Sequence, residues 1–320
     1  MALPCRNEEE NVVPMTEAII EQFEKHLPQY DYTIQFIDNR SSDKTREKLR
    51  QLCEQYPQVR AIFNVANFVT STFYGVLQSD GDCCICLASD FQEPPELIPT
   101  FVKEWEQGAK VVCGIKTGSK ENPVMWGVRS LYYSLISKFS SIKQIHHFTG
   151  FGLYDKDFVA ILREIKDPVP SFRGLVAEYG YQMKQVEYVQ QARRAGKTNN
   201  SFMRLFDLAM FNLTAYTNIG PRIATFGGLF IGTGSVVAGL VYLVLKLIYW
   251  DRFVAGMAPM LIGMFFLGAV QLFFIGLLGE YMVVVNRRVM RRPLVVEEER
   301  INFPMKEKAA ANEGDEEDPG

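Results

Sequence analysis

Histidine is nearly absent from this chain, with three in 320 residues, and His146 and His147 are the only adjacent pair. A chemistry built on several histidines is therefore excluded. The six cysteines are scattered, and no second Cys/His pair stands at a familiar distance from Cys83, Cys84 and Cys86 to complete a metal centre. Alternation along a strand would put Cys84 and Cys86 on one face. There they serve either as two metal ligands or, the reading we favour, as small buried hydrophobes of a reducing compartment. The N-terminus lacks the basic start and apolar stretch of a secretory signal, so the soluble part is expected to stay in the cytoplasm. The net charge of -3 is a sum over unlike segments and gives no argument for nucleic acid.

What is present is unevenly spread. The first two hundred residues have the composition of a soluble α/β protein, residues from Gly220 to Val285 are far more apolar, and the end is acidic. From Ile223 to Leu245 there is no charge, and after Lys246, Asp251 and Arg252 the next is Glu280. A bilayer takes about 20 apolar residues to cross, so both stretches qualify as spans; a buried helix pair is the alternative. Arg222 lies at one outer end of this hairpin and Arg287, Arg288, Arg291 and Arg292 at the other, which places both termini in the cytoplasm by the positive-inside rule. Ser201 to Tyr216 suits an amphipathic helix on the membrane surface, or a domain helix packing on a sheet. The tail after Pro304 is polar enough to be disordered.

Periodicity predicts helices at Val12–His26, Lys44–Tyr56, Val69–Leu77 and Glu96–Glu106. Strands are predicted at Tyr32–Ile37, Arg60–Phe63, Cys83–Leu87 and Val111–Ile115, with Cys83–Leu87 apolar on both faces as in the middle of a parallel sheet. The alternation argues for a doubly wound α/β sheet. Ligands of such sheets bind at the carboxyl ends of the strands. The polar loops Pro4–Glu10, Asp38–Asp43 and Ser89–Glu93 should therefore converge on one crevice, although only Met1, Ala2 and Leu3 are left to form a strand before the first. Asp90 and Gln92, two apart on a loop, can present two oxygens to Mg²⁺ or Mn²⁺. Asp38 can reach a ribose or a base. Each also has a plain reading as a good turn residue.

Three runs carry a resemblance: Pro4-Cys5-Arg6-Asn7-Glu8-Glu9-Glu10-Asn11, Ile37-Asp38-Asn39-Arg40-Ser41-Ser42-Asp43-Lys44-Thr45 and Ser89-Asp90-Phe91-Gln92-Glu93-Pro94-Pro95-Glu96. Together they resemble the GT-A family 2 glycosyltransferases, and within them the polyprenyl-phosphate hexosyltransferases related to dolichol-phosphate mannose synthase. The resemblance continues through Arg173-Gly174-Leu175-Val176, Arg193-Arg194-Ala195-Gly196-Lys197-Thr198, both apolar stretches, Gly279-Glu280-Tyr281 and Arg292-Pro293-Leu294. It implies a cytoplasmic GT-A (Rossmann-like) domain over residues 1–200, an interfacial helix at 201–222, two transmembrane helices at 223–285 and a partly disordered cytoplasmic tail at 286–320. The whole would be an integral protein of a bacterial inner membrane.

The resemblance further implies an inverting transfer from a UDP-sugar, less so a GDP-sugar, to polyprenyl phosphate, with Mg²⁺ or Mn²⁺. Pro4, Glu8 and Asp38 would hold the nucleoside, with Arg6, Asn39 and Ser89 beside them. Asp90 and Gln92 match the metal and diphosphate positions. Arg129, on a helix from Val128 to Phe139, and Arg193, with Lys197 in support, match residues near the acceptor phosphate; the alternative for the last two is a basic collar for lipid head groups. Gly150-Phe151-Gly152 resembles the acceptor loop. A lipid phosphate is already anionic, so positioning and charge neutralisation suffice and no strong base is required. The chain departs from the pattern at Ala88, the first position of Asp-x-Asp, at Asn39 and Arg40 in the Asp-Asp-Gly turn, and at Arg6 in place of Tyr. Arg6 and Arg40 are candidates to meet the diphosphate directly. Gly227, Gly228, Gly232 and Gly234 permit close helix approach, so a homo-oligomer is expected. A nucleotide-binding membrane scaffold without activity, and a processive polysaccharide synthase, are the alternative functions.

Overall fold

The computed structural model describes residues 1–118, 145–191, 219–249, 257–290 and 292–303. In the first part, strands β1 (Ala2–Cys5), β2 (Ile34–Asp38), β3 (Val59–Asn64), β4 (Cys83–Cys86) and β5 (Val111–Gly118) alternate with helices α1 (Val12–His26), α2 (Thr45–Gln55), α3 (Ser71–Leu77) and α4 (Ile98–Glu106). Then follow β6 (Phe148–Asp155), α5 (Lys156–Glu164), α6 (Phe172–Tyr179) and β7 (Met183–Val189). Two long helices, α7 (Ile219–Ile248) and α8 (Met257–Val289), precede a last strand, β8 (Glu297–Ile301).

The eight strands form one sheet in the order β7-β5-β6-β4-β1-β2-β3-β8. Successive residues of each central strand enter opposite cores. Leu3, Phe36, Ile85 and Val112 pack under α1, α2 and α4. Their neighbours Ala2, Ile37, Cys84 and Val111 pack with Phe73, Phe158 and Phe172 of α3, α5 and α6. This is the two-residue period of a strand buried on both faces. Cys84 and Cys86 do share a face, together with Cys113. Burial pushes the Cys86 thiol well above its usual range and the Cys113 thiol to about 12, so these thiols stay protonated and pack as apolar groups.

The sheet is mixed rather than parallel throughout. β1, β2, β3 and β4 run together, but β6 is antiparallel to both β4 and β5. The carboxyl ends of β1, β2, β3, β4, β5 and β7 therefore lie at one edge with the start of β6. The β5–β6 pairing requires a glycine: a Cβ on Gly152 would stand 2.3 Å from the Val112 carbonyl oxygen.

The strand expected before the first polar loop is short, and it includes Pro4. Its ladder to β4 stops with the bond from the Leu87 N–H to the Ala2 carbonyl at 3.1 Å. Pro4 has no N–H to continue it. Instead the Ser89 hydroxyl donates to the Pro4 carbonyl at 3.1 Å, which ties the first polar loop to the third.

Helices α7 and α8 contain apolar stretches of 24 residues (Thr225–Ile248, mean hydropathy 2.0) and 27 residues (Gly263–Val289, mean hydropathy 1.8). At 1.5 Å per residue, 24 residues make about 36 Å, enough for a hydrocarbon core of about 30 Å. Their large side chains, among them Phe230, Phe265, Leu272 and Phe273, are exposed. Apolar surface on that scale marks a membrane-associating segment.

The second helix continues past the expected boundary at residue 285 to Val289, and the expected tail is not loose from its start. Residues 297–301 return to the sheet as β8, antiparallel to β3, with Asn64 opposite Glu297. An acidic run such as Glu297-Glu298-Glu299 has no strand signal of its own. It pairs because the β3 edge is open and because Arg46 and Arg50 of α2 meet Glu298 and Glu299 at 2.8 and 2.5 Å. β8 starts at the carboxyl edge: the Val65 N–H donates to the Val296 carbonyl at 3.0 Å, and the Thr70 hydroxyl donates to the Leu294 carbonyl. Arg288, near the end of α8, pairs with Asp167 beyond α5 at 3.6 Å. The apolar hairpin is thus tied to the same edge on which the polar loops stand.

Candidate active site

The first two polar loops are knitted into one wall. The Asn7 N–H donates to the Ser41 hydroxyl at 2.9 Å and the Ser42 N–H to Asn7 Oδ1 at 2.8 Å. The Glu8 N–H donates to Thr45 Oγ1 at 2.8 Å, and the Lys44 N–H to Glu9 Oε2 at 2.9 Å. Glu8 is buried, accepts from Asn11 Nδ2 at 2.5 Å, and opens α1 with its carbonyl. Arg6 and Arg40 are exposed on the rim of this wall.

Asp38 and Asn39 lie deeper. Asp38 is fully buried; the Ser41 N–H and hydroxyl and Arg46 Nε, at 2.6 Å, donate to its carboxylate. Asn39 Oδ1 accepts from Asn64 Nδ2 at 3.2 Å, from the Phe68 N–H at 3.3 Å and from the Ser71 hydroxyl. Three donors fix that atom as oxygen, and the amide pins the turn between β3 and α3.

The third loop turns beneath β4. Asp90 is buried, and its Oδ1 accepts from the Gln92 N–H at 3.2 Å. The Gln92 carbonyl accepts from the Gln191 N–H at 3.3 Å, so the chain leaving β7 meets this loop two residues before Arg193. Glu93 is the residue that sequence reasoning left without a role. Its buried carboxyl accepts from the Ala88 N–H at 2.8 Å and from the Thr149 hydroxyl of β6 at 2.7 Å. Burial pushes it up to about 7; those two hydrogen bonds pull the other way and the charge of Asp90 adds to the rise. The Tyr188 hydroxyl, raised to about 12 chiefly by burial and next by Glu93, is close to the same cluster. The signal for Glu93 was its place between Gln92 and Pro94-Pro95, which commit the chain to turn back under the sheet. Arg46 had no local signal at all.

Each loop holds one non-glycine residue in the left-handed region: Asn7 (φ 55°), Arg40 (φ 55°) and Phe91 (φ 60°). Each costs about 1 kcal/mol or more, and such strain gathers where a loop must present groups in a set geometry. Arg40→Gly should therefore leave the thermal midpoint unchanged or raise it by an amount worth about 1 kcal/mol. If Arg40 meets a diphosphate, the same change weakens nucleotide binding. A variant with lower stability and full binding would dismiss both points.

Arg129, Arg193 and Lys197 lie outside the described residues, as do the expected helix Val128–Phe139, the segment Ser201–Tyr216 and the tail after Pro304. Gly150-Phe151-Gly152, the run that resembles an acceptor loop, lies within β6, which begins at the carboxyl edge with the exposed His146 and His147 just before it. Among the described residues no group of three or more His, Cys, Asp or Glu stands ready for a metal ion. Asp90 and Gln92 supply two oxygens of the kind a hard divalent cation takes, so they fit as part of a coordination shell that a diphosphate and water would have to complete.

A mixed sheet carrying three polar loops on its carboxyl edge is the architecture of a GT-A-type transferase. The chain belongs to glycosyl transferase family 2, whose model matches residues 1–166, and it is a glycosyltransferase. It is 29% identical over 296 residues to the bactoprenol glucosyl transferase of Shigella phage SfX, covering 92% of this chain and 96% of that protein. It is 28% identical over 296 residues to the prophage bactoprenol glucosyl transferase homolog of Escherichia coli (strain K12), covering 92% and 96%. Among solved structures, a mannosyltransferase from Pyrobaculum calidifontis in complex with GDP-Man and Mn²⁺ matches 91% of this chain and 85% of that one, at 12% identity and a TM-score of 0.41.

Proposed function

We propose that the protein is an integral membrane enzyme that moves a hexose, glucose by default, from a UDP-sugar to polyprenyl phosphate on the cytoplasmic face, with inversion. A GDP-sugar is the second choice of donor. One observation carries the reading: β8 joins the sheet at the edge that bears the three polar loops, so a donor held there lies beside the hairpin that enters the lipid. The names of the two relatives support a polyprenyl acceptor and a glucosyl group. Arg287 and Arg288 at the end of the second span and Arg292 just after it support the cytoplasmic orientation.

Glu8, the Pro4 strand and the wall built on Asp38 and Asn39 shape the nucleoside pocket, with Ser89 closing it through Pro4. Asp90 and Gln92 would hold Mg²⁺ or Mn²⁺ against the diphosphate, and the ion when bound offsets charge on the departing nucleoside diphosphate. Arg129, Arg193 and Lys197 orient the acceptor phosphate, whose oxygen needs no base to attack. We also propose that the protein forms a homo-oligomer through its spans. Gly228 and Gly232 line a cleft of about 610 Å³ between α7 and α8, and small residues there permit close approach of a helix from a second copy. A monodisperse monomer in mild detergent would count against that.

The test is to incubate the purified protein in detergent with polyprenyl phosphate, a divalent cation and a panel of radiolabelled nucleotide sugars, then follow label into the organic phase. Label from one donor establishes the reaction and names the sugar. Ala88 and the engaged amide of Asn39 favour a second reading, a nucleotide-binding scaffold. Nucleotide binding without transfer from any donor would select it.

A further inference from the structure

Asp38 is the carboxylate that the proposed donor site relies on, yet its oxygens are already bonded from behind. Arg46 Nε approaches Oδ2 at 2.6 Å. The same guanidinium donates through Nη2 to the Asn64 carbonyl at 2.7 Å and through Nη1 to Glu298 of β8 at 2.8 Å. Its face lies over the Phe63 ring, 5.4 Å from the centroid. Arg46 thus joins four elements: loop 2, the end of β3, α2 on which it stands, and the strand that follows the membrane hairpin. Asn64 passes the connection on, because its amide donates to Asn39 Oδ1. Glu298 feels Arg46 first and then Arg50 and Arg40, which hold its carboxyl below the ordinary range. β8 is therefore the acidic counterpart of an arginine row that includes the rim residue Arg40.

The geometry points to Arg46 as a positioning residue of the donor site, which fixes Asp38 and Asn39 and makes β8 part of the scaffold for nucleotide binding. This rests on the nucleotide-sugar reading above. The alternative, that Arg46 serves general stability only, predicts a different pattern. A fork with three acceptors cannot be replaced by a lysine, which keeps the charge but presents a single point. The pair with buried Asp38 should matter more than the pair with half-exposed Glu298, because solvent screens the latter.

The experiment measures UDP and GDP affinity by calorimetry, and KM for donor and acceptor by lipid labelling, on the full chain in detergent. It compares wild type, Arg46→Lys, Glu298→Gln and the double variant, with thermal midpoints recorded. Arg46→Lys should weaken nucleotide binding and raise the donor KM about tenfold, with the acceptor KM within about twofold. Glu298→Gln should weaken nucleotide binding by about two- to threefold, a smaller but measurable loss. In the Arg46→Lys background it should add little, because both act through one guanidinium. Donor and acceptor constants that move together, a lower midpoint with unchanged nucleotide affinity, or full additivity would overturn the inference. Should Arg46→Lys fail to fold, Glu298→Gln alone decides, since a purely structural strand would leave nucleotide affinity untouched. Wild type that binds neither nucleotide and labels no lipid would instead dismiss the donor reading, and the inference would fall with it.

Discussion

Asp90→Ala is expected to lower sugar transfer to lipid by a factor of about 10²–10³ or more, while nucleotide binding persists in weakened form. The size of the effect follows from what the third loop does not contain. Ala88 leaves it without the first carboxylate of the family pattern, and Gln92 contributes only a neutral oxygen. Glu93 cannot stand in, because both of its oxygens are committed, one to the Ala88 N–H and one to the Thr149 hydroxyl. Asp90 is then the carboxylate of the loop that the proposed reading gives to a cation on the diphosphate. Its bond from the Gln92 N–H at 3.2 Å is worth about 1 kcal/mol, so the variant should fold with a modestly lower midpoint. Donor affinity carried by the first two loops should remain measurable. Lipid labelling by Asp90→Ala above about a tenth of the wild-type rate would sink the assignment.

The central elements were legible because their residues are buried on a regular period. Val12, Met15, Ile19 and Phe23 fall on one face of α1, and all five residues of β2 are buried, so helix and strand stand out without knowledge of their partners. Boundaries moved by one to three residues, as helix caps and strand ends do. The polar loops were legible too, since turn residues cluster after each strand. Three strands, β6, β7 (Met183–Val189) and β8, were not. In β6, Thr149, Gly150 and Gly152 break the strand pattern, and its pairing depends on the missing Cβ of Gly152 beside the Val112 carbonyl. β8 reads as a charged tail, and becomes a strand only when arginines about 250 residues earlier in the chain neutralise it. Arg46 and Glu93 escaped for the same reason: the role of each is set by partners that the fold, not the local sequence, brings within 3 Å. Non-local pairing of this kind leaves no periodicity to read.

Glu93→Gln should change how stability depends on pH. In the unfolded chain this carboxyl ionises near 4.5, and in the fold at about 7. A raised acid favours the folded state while it keeps its proton. Below the unfolded value both states are protonated and the group contributes nothing against folding. As pH rises from 4.5 to about 7 the unfolded chain gives up its proton and the folded one holds it, so stability falls; above about 7 the loss is complete. The full difference is on the order of 3 kcal/mol, or roughly 6 °C or more in thermal midpoint for a domain of this size. Glutamine keeps an acceptor for the Ala88 N–H, and its amide can donate to the Thr149 oxygen, so both ties of the third loop survive without a titrating group. The midpoint of the variant minus that of wild type, measured on the full chain in detergent, should be near zero at pH 4.5 and should climb to its plateau by pH 8. A difference that stays flat across this range would mean that Glu93 is ionised in the fold. In that case the third loop would carry a second full negative charge beside Asp90 from pH 4.5 upward, and burial would not set the state of its acid.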